Sequence, residues 1–520
     1  MCGILFTNRP GIAPEDFQDA LGLMAHRGPD AAGGYARHGA VQLGHNRLSI
    51  VDLNARSNQP FYSRDGRHVI VFNGEIYNYR ELAAQRGVEL RTSSDTELLL
   101  ELYLRHGEKM LGWLYGMFAF VICDTRTGDT FMARDRLGVK PLYVAEDGDG
   151  IIVASELSAI LRLLPGATID EFALRQYRKM RGFFNGRTLY REVRMFPAGH
   201  FRRAGRDTCW WRLPEGEQAA PSDEELASLV QSAVDYRCLA DVPVGSYLSG
   251  GLDSSIVAAL SNRTHTWVVG LEEENEFEWA SLVALHLGTT HHAVTVTPEQ
   301  FLASARQMLA IRREPLAVPN EVLLYEMTRA VKQENTVVLS GEGADELMAG
   351  YDRIFRWADA APAWDLPGFA RHYAYGSGDD LEVVEDAVAP FVARGSALAV
   401  TSAFFQVAHL HGLLRRLDNS TMLCSVEGRV PFVDHRLVER LAGVPLAYKM
   451  AGGVVKAPLK RVFGSRLPPR VVQRPKVGFP VKLEQVLPDD LPGAAPMDRW
   501  FNFCLGELGI DEETLNPACT

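Results

Sequence analysis

Two regions of this 520-residue sequence hold residue types that could do chemistry, and the first is its start. Cys2 follows Met1 directly. Removal of Met1, expected before a small residue, leaves a cysteine whose α-amine (pKa about 7.7–8.0) sits on the same residue as the thiol. Such an amine can act as general base, the arrangement used by N-terminal nucleophiles. The nearby segments add weight: Arg27-Gly28-Pro29-Asp30, His45-Asn46-Arg47-Leu48-Ser49-Ile50, Asn73-Gly74-Glu75-Ile76-Tyr77-Asn78 and Ser94-Asp95-Thr96-Glu97. Arg47 can hold a carboxylate bidentately. Glu75 and Asp95 can hold an ammonium. The Asn73 side-chain amide and the Gly74 backbone N–H can receive an oxyanion. A carboxylate clamp, an ammonium clamp and a thiol are together what hydrolysis of a free α-amino-acid amide requires.

The second region follows the apolar run 244–248: Ser249-Gly250-Gly251-Leu252-Asp253-Ser254-Ser255, with a helical stretch from Ile256 to Leu260. Glycines let the backbone approach a ligand, and amides at a helix N-terminus cradle an anion. Asp253 would repel phosphate unless it holds a cation, so it is assigned to Mg²⁺. The loop lacks the lysine of a Walker A motif, which points to pyrophosphate leaving ATP rather than to transfer of a γ-phosphate. A second junction of small residues and acids, Ser340-Gly341-Glu342-Gly343-Ala344-Asp345-Glu346, follows the run 337–339. Two such strand ends imply one crevice above a parallel sheet. There Asp345 could complete the metal site and Glu342 could serve as a base or orient one.

Elements must position these groups. In the first two hundred residues, runs 68–72 and 118–123 read as strands, and 125–128 as the turn of a hairpin leading to 130–133. Residues 98–104 have helical spacing. Strands with a few helices predict an α+β, sandwich-like layering. Gly205, Pro214, Gly216 and Pro221 mark a change of composition. Ser222, with Glu225 three residues on, predicts a capping box and a helix through Val234. Beyond it, apolar runs 244–248, 267–271 and 337–339 alternate with helical stretches, which predicts a parallel α/β sheet. The last two hundred residues read as mostly helical, with an irregular end around Pro488, Pro492 and Pro496.

Composition excludes other classes. With 47% hydrophobic and 23% charged residues, the chain is ordinary globular protein. A net charge of −11 argues against nucleic acid or an anionic membrane as partner. No apolar stretch is read as reaching the ~18–20 residues that span a bilayer, and the start lacks the basic region of a signal peptide. Seven scattered cysteines, none at C-x-x-C spacing, fit free thiols in a reducing cytoplasm.

Further segments extend the pattern: Arg134-Asp135-Arg136-Leu137-Gly138-Val139-Lys140-Pro141-Leu142-Tyr143, Ser155-Glu156, the run from Ser425 to Asp434 and Arg474-Pro475-Lys476-Val477-Gly478-Phe479. With the two regions above, the chain resembles the glutamine-dependent asparagine synthetase family from Cys2 to at least Phe479. The resemblance implies an N-terminal nucleophile-type glutaminase of class II in residues 1–205. It implies an ATP-pyrophosphatase synthetase domain in residues 222–520. Carried over by motif, Cys2 is the nucleophile, Arg47, Glu75 and Asp95 bind glutamine, and Asn73 with Gly74 binds the oxyanion. Leu248, Val269, Ser340 and Gly341 match backbone positions around ATP. Asp253 and Asp345 match Mg²⁺ ligands, and Glu342 and Lys476 match charged residues of the synthetase centre. The implied reaction amidates a carboxylate through an acyl-adenylate, with aspartate as the leading acceptor. Another carboxylate, as in antibiotic or sugar-acid biosynthesis, and a β-lactam-synthetase-like cyclisation stay open, and so does a homodimer. The chain departs from the family at Phe277-Glu278-Trp279, Arg313-Glu314-Pro315, Val318-Pro319-Asn320, Asn419 and Gly428. If Trp279, Arg313 and Val318 face the acceptor, its pocket is less acidic than one built for the ammonium of aspartate.

Overall fold

The computed structural model describes residues 2–375, 380–475 and 481–510. The first half holds β1 (Cys2–Thr7), β2 (Ala31–His38), β3 (Val41–Arg47), β4 (Phe61–Tyr62), β5 (His68–Ile76), β6 (Gly116–Asp124), β7 (Thr130–Arg134), β8 (Tyr143–Asp147), β9 (Gly150–Ala154), β10 (Val193–Met195), β11 (His200–Arg203) and β12 (Arg206–Cys209). They form two antiparallel sheets of order β10-β8-β9-β1-β3-β2 and β12-β11-β7-β6-β5-β4. Alternation of side chains sets the layers. Ile4 and Phe6 of β1 enter the space between the sheets, with Val69, Val71 and Val121. Leu5 points the other way, onto Phe17, Leu21 and Ile160 of helices Pro14–Gly22 and Leu157–Leu163. Helix Asp95–His106 covers the second sheet, its Leu98 and Leu102 joining Ile70 and Phe72. The result is a helix–sheet–sheet–helix sandwich, the expected α+β layering. β5 and β6 outrun the apolar stretches that announced them, pairing without interruption from His68↔Asp124 to Ile76↔Gly116.

The second half is α/β. β13 (Val244–Tyr247), β14 (His265–Leu271), β15 (Thr290–Val296), β16 (Val337–Leu339) and β17 (Glu427–Arg429) form a parallel sheet of order β15-β14-β13-β16-β17. The chain steps outward from β13 to β15 and then returns to place β16 on the opposite side of β13. Strand order therefore reverses between β13 and β16, where open α/β sheets form a crevice beyond their strand ends.

Three sequence expectations need correction. Ser222 Oγ accepts from Glu225 N at 3.1 Å and caps helix Asp223–Arg237, but the Glu225 carboxylate, instead of closing a capping box, accepts from Arg440 at 2.5 and 3.0 Å. The end is not irregular throughout: Pro496 opens helix Pro496–Glu507, because proline has no N–H to lose in a first turn. The helical run Ala397–Met422 is long and apolar enough by composition to cross a membrane, contrary to the reading that no stretch is. Half of its apolar window is buried inside the protein, and its Arg415, Arg416 and Asp418 make internal ion pairs.

The two halves share one core. Leu48, Tyr77 and Met117 pack in the same cluster as Val230, Leu323 and Val430. Buried charges cross the junction as well: Arg27 Nη2 and Lys140 Nζ meet Asp418 at 2.9 and 3.2 Å.

Candidate active sites

β1 is a central strand, and its first residue lies opposite Arg47 in the β1–β3 register. Cys2 is buried, and burial raises its thiol pKa against the opposing pull of the Leu48 backbone and Arg47. The Cys2 nitrogen, the atom that becomes an α-amine on loss of Met1, donates to Asn73 Oδ1 at 2.9 Å. That bond turns Asn73 Nδ2 to the other side, where it is buried without a hydrogen-bond partner. A buried donor left unused is costly unless a ligand takes it. Next to it, Gly74 has φ +156°, and a Cβ there would lie 2.1 Å from the Met117 carbonyl oxygen. Only glycine lets β5 lie this close to β6.

The carboxylate and ammonium clamps surround the thiol. Carbonyls of Val51, Asp52 and Asn54 and the Asn58 amide oxygen fix the Arg47 guanidinium at 2.5–3.2 Å. Asp95 begins its helix, capped by Ser94, and its Oδ2 accepts from Ile76 N at 2.8 Å. Burial pushes the Asp95 carboxyl up to about 6. Glu75 is raised well above the usual carboxylate range by burial, then by Asp95 and Glu427, while Arg429 at 3.7 Å opposes the rise. Two buried carboxylates that resist ionisation side by side are suited to a cationic ligand. Cys2, Arg47, Gly74, Glu75 and Asp95 line one small pocket.

The second site lies at the strand-order reversal. A cavity of about 320 Å³ is lined by Leu248, Ser249, Gly251, Asp253 and Ser254 after β13, and by Val269 of β14. Ser340, Gly341, Glu342 and Asp345 after β16 complete that part of the wall. Two residues of the loop stay off it. Gly250, at φ +71°, turns the backbone against Trp279, whose carbonyl carbon would be 2.4 Å from a Cβ. Ser255 donates to the Gly251 carbonyl at 2.6 Å. Lys476 lies outside the described residues.

Sequence reasoning missed Lys456 and Arg416, both on the cavity wall, where Asn320, named from sequence as part of a departure from the family pattern, also lies. Lys456 Nζ bridges Asp253 and Asp345, at 2.6 Å from the latter. Burial disfavours its charge, but the two carboxylates outweigh that and raise its pKa. Arg416 pairs with Glu342 and also donates to Asn320 Oδ1 at 3.3 Å. The one signal was spacing: Lys456 and Lys460, four apart, both face the cavity. Asp253 and Asp345 converge on a single point. Two carboxylates beside a phosphate cradle suit Mg²⁺, which keeps waters and takes phosphate oxygens. Among the described residues no three His, Cys, Asp or Glu side chains cluster into an all-protein cage.

The departures from the family pattern fall mostly elsewhere. Arg313 is exposed at the left-handed end of helix Pro298–Arg312. Trp279 packs against Arg470 and Arg474, with guanidinium carbons 5.1 and 4.6 Å from the ring centroid. Val318 donates its N–H to Glu321 at 3.3 Å. None of the three lines the crevice, whereas Asn320 does. Asn419 donates to Glu314 at 3.2 Å in a buried network with Arg312. Gly428 lies in β17, where a Cβ would be 3.0 Å from Leu417.

One side chain reaches from the first site toward the second. Arg27 Nε donates to the Cys2 carbonyl at 3.1 Å, Nη1 to Glu156 at 3.0 Å and Nη2 to Asp418 at 2.9 Å. Asp418 lies two residues beyond Arg416 on helix Leu410–Met422.

The family described as asparagine synthase matches residues 225–494, and the glutamine amidotransferase domain matches residues 1–211. The chain belongs to the asparagine synthase family. A relative from Mycobacterium tuberculosis (strain ATCC 25618 / H37Rv), also named for glutamine-hydrolyzing asparagine synthetase, is 33% identical over 94% of this chain and 88% of its own. Asparagine synthetase B (glutamine-hydrolyzing) of Escherichia coli (strain K12) is 31% identical over 88% of this chain and 77% of its own. Asparagine synthetase (glutamine-hydrolyzing) 1 of Bacillus subtilis (strain 168) is 29% identical, covering 98% and 91%. The chain is thus an enzyme of a carbon–nitrogen ligase family, with an amidotransferase segment ahead of a synthase segment.

Proposed function

We propose that the protein amidates aspartate to asparagine, using glutamine as nitrogen donor and cleaving ATP to AMP and pyrophosphate. The observation that carries this reading is the pairing of two sites in one core: a thiol between carboxylate and ammonium clamps, and a phosphate cradle at the strand-order reversal. In the first site Cys2 Sγ attacks the side-chain amide of glutamine and gives its proton to the Cys2 α-amine. The oxyanion is received by Asn73 Nδ2 and the Gly74 N–H. Collapse, with the α-ammonium passing that proton to the leaving nitrogen, expels ammonia and leaves a glutamyl thioester, which water hydrolyses to glutamate.

In the second site an aspartate carboxylate oxygen attacks the α-phosphorus and pyrophosphate leaves along the loop 249–255. Ammonia then attacks the acyl-adenylate carbonyl and AMP departs. Asp253 and Asp345 would hold Mg²⁺, which screens the charge of the leaving pyrophosphate. Lys456 stands ready to pair with that anion once the carboxylates have a cation. Glu342, held by Arg416, is placed to take a proton from the attacking ammonia. Lys476 is assigned to the charge building on the α-phosphate. Aspartate is favoured because Arg313, Trp279 and Val318 do not line the crevice, although Asn320, another departure, does. The test is a comparison of acceptors: kcat/KM for aspartate should reach ~10⁴ M⁻¹s⁻¹ and exceed that of other carboxylates. A different carboxylate preferred over aspartate would move the chain to the alternative reading.

The clamp predicts a pH dependence. With the Asp95 pKa near 6, the free enzyme carries this group protonated below that pH. The neutral acid cannot pair with the ammonium of glutamine. Glutaminase kcat/KM should therefore fall as pH drops through 6, approaching tenfold per unit. A profile flat from pH 5 to 7 would remove Asp95 from the ammonium clamp.

A further inference from the structure

A larger cavity, about 600 Å³, belongs to neither site. It opens between the two halves, with Phe183, Phe196 and Trp211 on one side and Phe391 and helix Leu410–Met422 on the other. Set among these apolar walls are Arg136, Arg212, Arg394, Arg415 and His411. Among the described residues Glu215 is the one carboxylate on the wall. Its side chain is 78% exposed and lies 3.6 Å from Arg394.

The positive charge is only partly cancelled: Arg187 and Arg194, also on the wall, pair with Asp170, Asp386 and Asp207 at 3.4, 3.5 and 2.8 Å, but the other arginines meet mainly uncharged partners. Arg136 donates to the carbonyls of Leu114 and Gly112 at 2.6 and 3.0 Å. Arg394 donates to those of Pro214 and Leu213, each at 3.2 Å, and Arg212 to the Cys209 sulfur at 3.3 Å. Carbonyls orient a guanidinium without neutralising it. Arg415 is 3.7 Å from Glu314 and stacks over Phe183. Arg136 Nε and His411 Nε2 are buried with no hydrogen-bond partner. A cationic, aromatic recess in a chain of net charge −11 stands out against its own surface.

The floor is kept open. Gly412 lines the cavity in the first turn of helix Leu410–Met422, inside the longer helical run Ala397–Met422, and a Cβ there would meet nothing within 4 Å. Glycine weakens a helix interior relative to alanine, and no close packing here requires it. Just before it the helix makes a π-turn, Phe405–His409, that puts Val407 and Ala408 on the same wall. Such turns are frequent at functional sites.

We propose that this cavity binds a small molecule carrying one carboxylate or phosphate monoester on a ring-sized apolar body, distinct from glutamine, ATP and the acceptor. Arginines would take the anion and the aromatic wall the body. The site borders helix Leu410–Met422, whose Arg416 holds Glu342 and whose Asp418 holds Arg27.

The experiment is calorimetric titration of the full chain, in saturating ATP and Mg²⁺, with phenyl phosphate, phenylacetate and the neutral 2-phenylethanol. At least one anion should bind with Kd below ~1 mM, and phenylethanol should bind at least ~10-fold more weakly. Which anion binds decides between phosphate and carboxylate. Gly412→Leu should fill the cavity, melt no lower than the parent protein and weaken the bound anion at least ~10-fold, and Arg212→Gln, an exposed change, should weaken it comparably. Absence of binding at millimolar concentration, equal binding of phenylethanol, or unchanged affinity in both variants would overturn the proposal.

Discussion

Cys2→Ala is expected to lower glutamine hydrolysis by ~10³-fold or more while ammonium-driven synthesis continues. Among the described residues no other thiol lines the pocket, so none of them can replace the nucleophile. The substitution removes one sulfur atom and leaves the contacts that organise the site. Arg27 binds the Cys2 carbonyl and Asn73 binds the Cys2 nitrogen, both backbone atoms. The network from Arg27 to Asp418 therefore persists, and with it the geometry of helix Leu410–Met422. Parallel assays with glutamine and with high ammonium decide the matter. Loss of both activities in a folded protein would contradict two separable sites.

Glu342→Gln is the converse. Asparagine formation should fall by ~10²–10³ even with ammonium, while glutamine hydrolysis is spared. Glu342 is the carboxylate at the cavity that Arg416 holds. The amide keeps its shape but cannot accept a proton, and it leaves the Arg416 charge facing the acceptor. Glutaminase activity serves as the folding control, because Cys2 and its clamps draw on a different pair of sheets. Near-normal asparagine formation from this variant would take Glu342 out of the chemistry.

Much of this was legible in the sequence because it rests on local patterns. Apolar runs marked β5, β6, β13, β14 and β16, and small residues after two of them marked the crevice. β15 was hidden, since Thr290, His291 and His292 lie at an outer edge with partial exposure. β17 was hidden for the opposite reason. Its Glu427 and Arg429 are fully buried but neutralise each other at 2.5 Å, so a buried charged pair reads as surface. In the sites, Cys2, Arg47, Glu75 and Asp95 were found from residue type and meet as expected. Lys456 and Arg416 were not, because each acts on a partner more than seventy residues away, at 203 and 74 positions. Gly250 and Ser255 were placed on the ligand; in the structure neither lines the cavity, Gly250 packing against Trp279 and Ser255 donating to the Gly251 carbonyl. Arg313 was weighed as an acceptor residue, yet its left-handed backbone ends a helix and turns the side chain to solvent.

The most direct test of the central claim is phosphorus NMR of a mixture of protein, glutamine, ATP, Mg²⁺ and aspartate, with the amino acids quantified in the same sample. The account predicts AMP and pyrophosphate in equal amounts, matched by asparagine and by at least as much glutamate. ADP with inorganic phosphate, or AMP formed without asparagine, would contradict it.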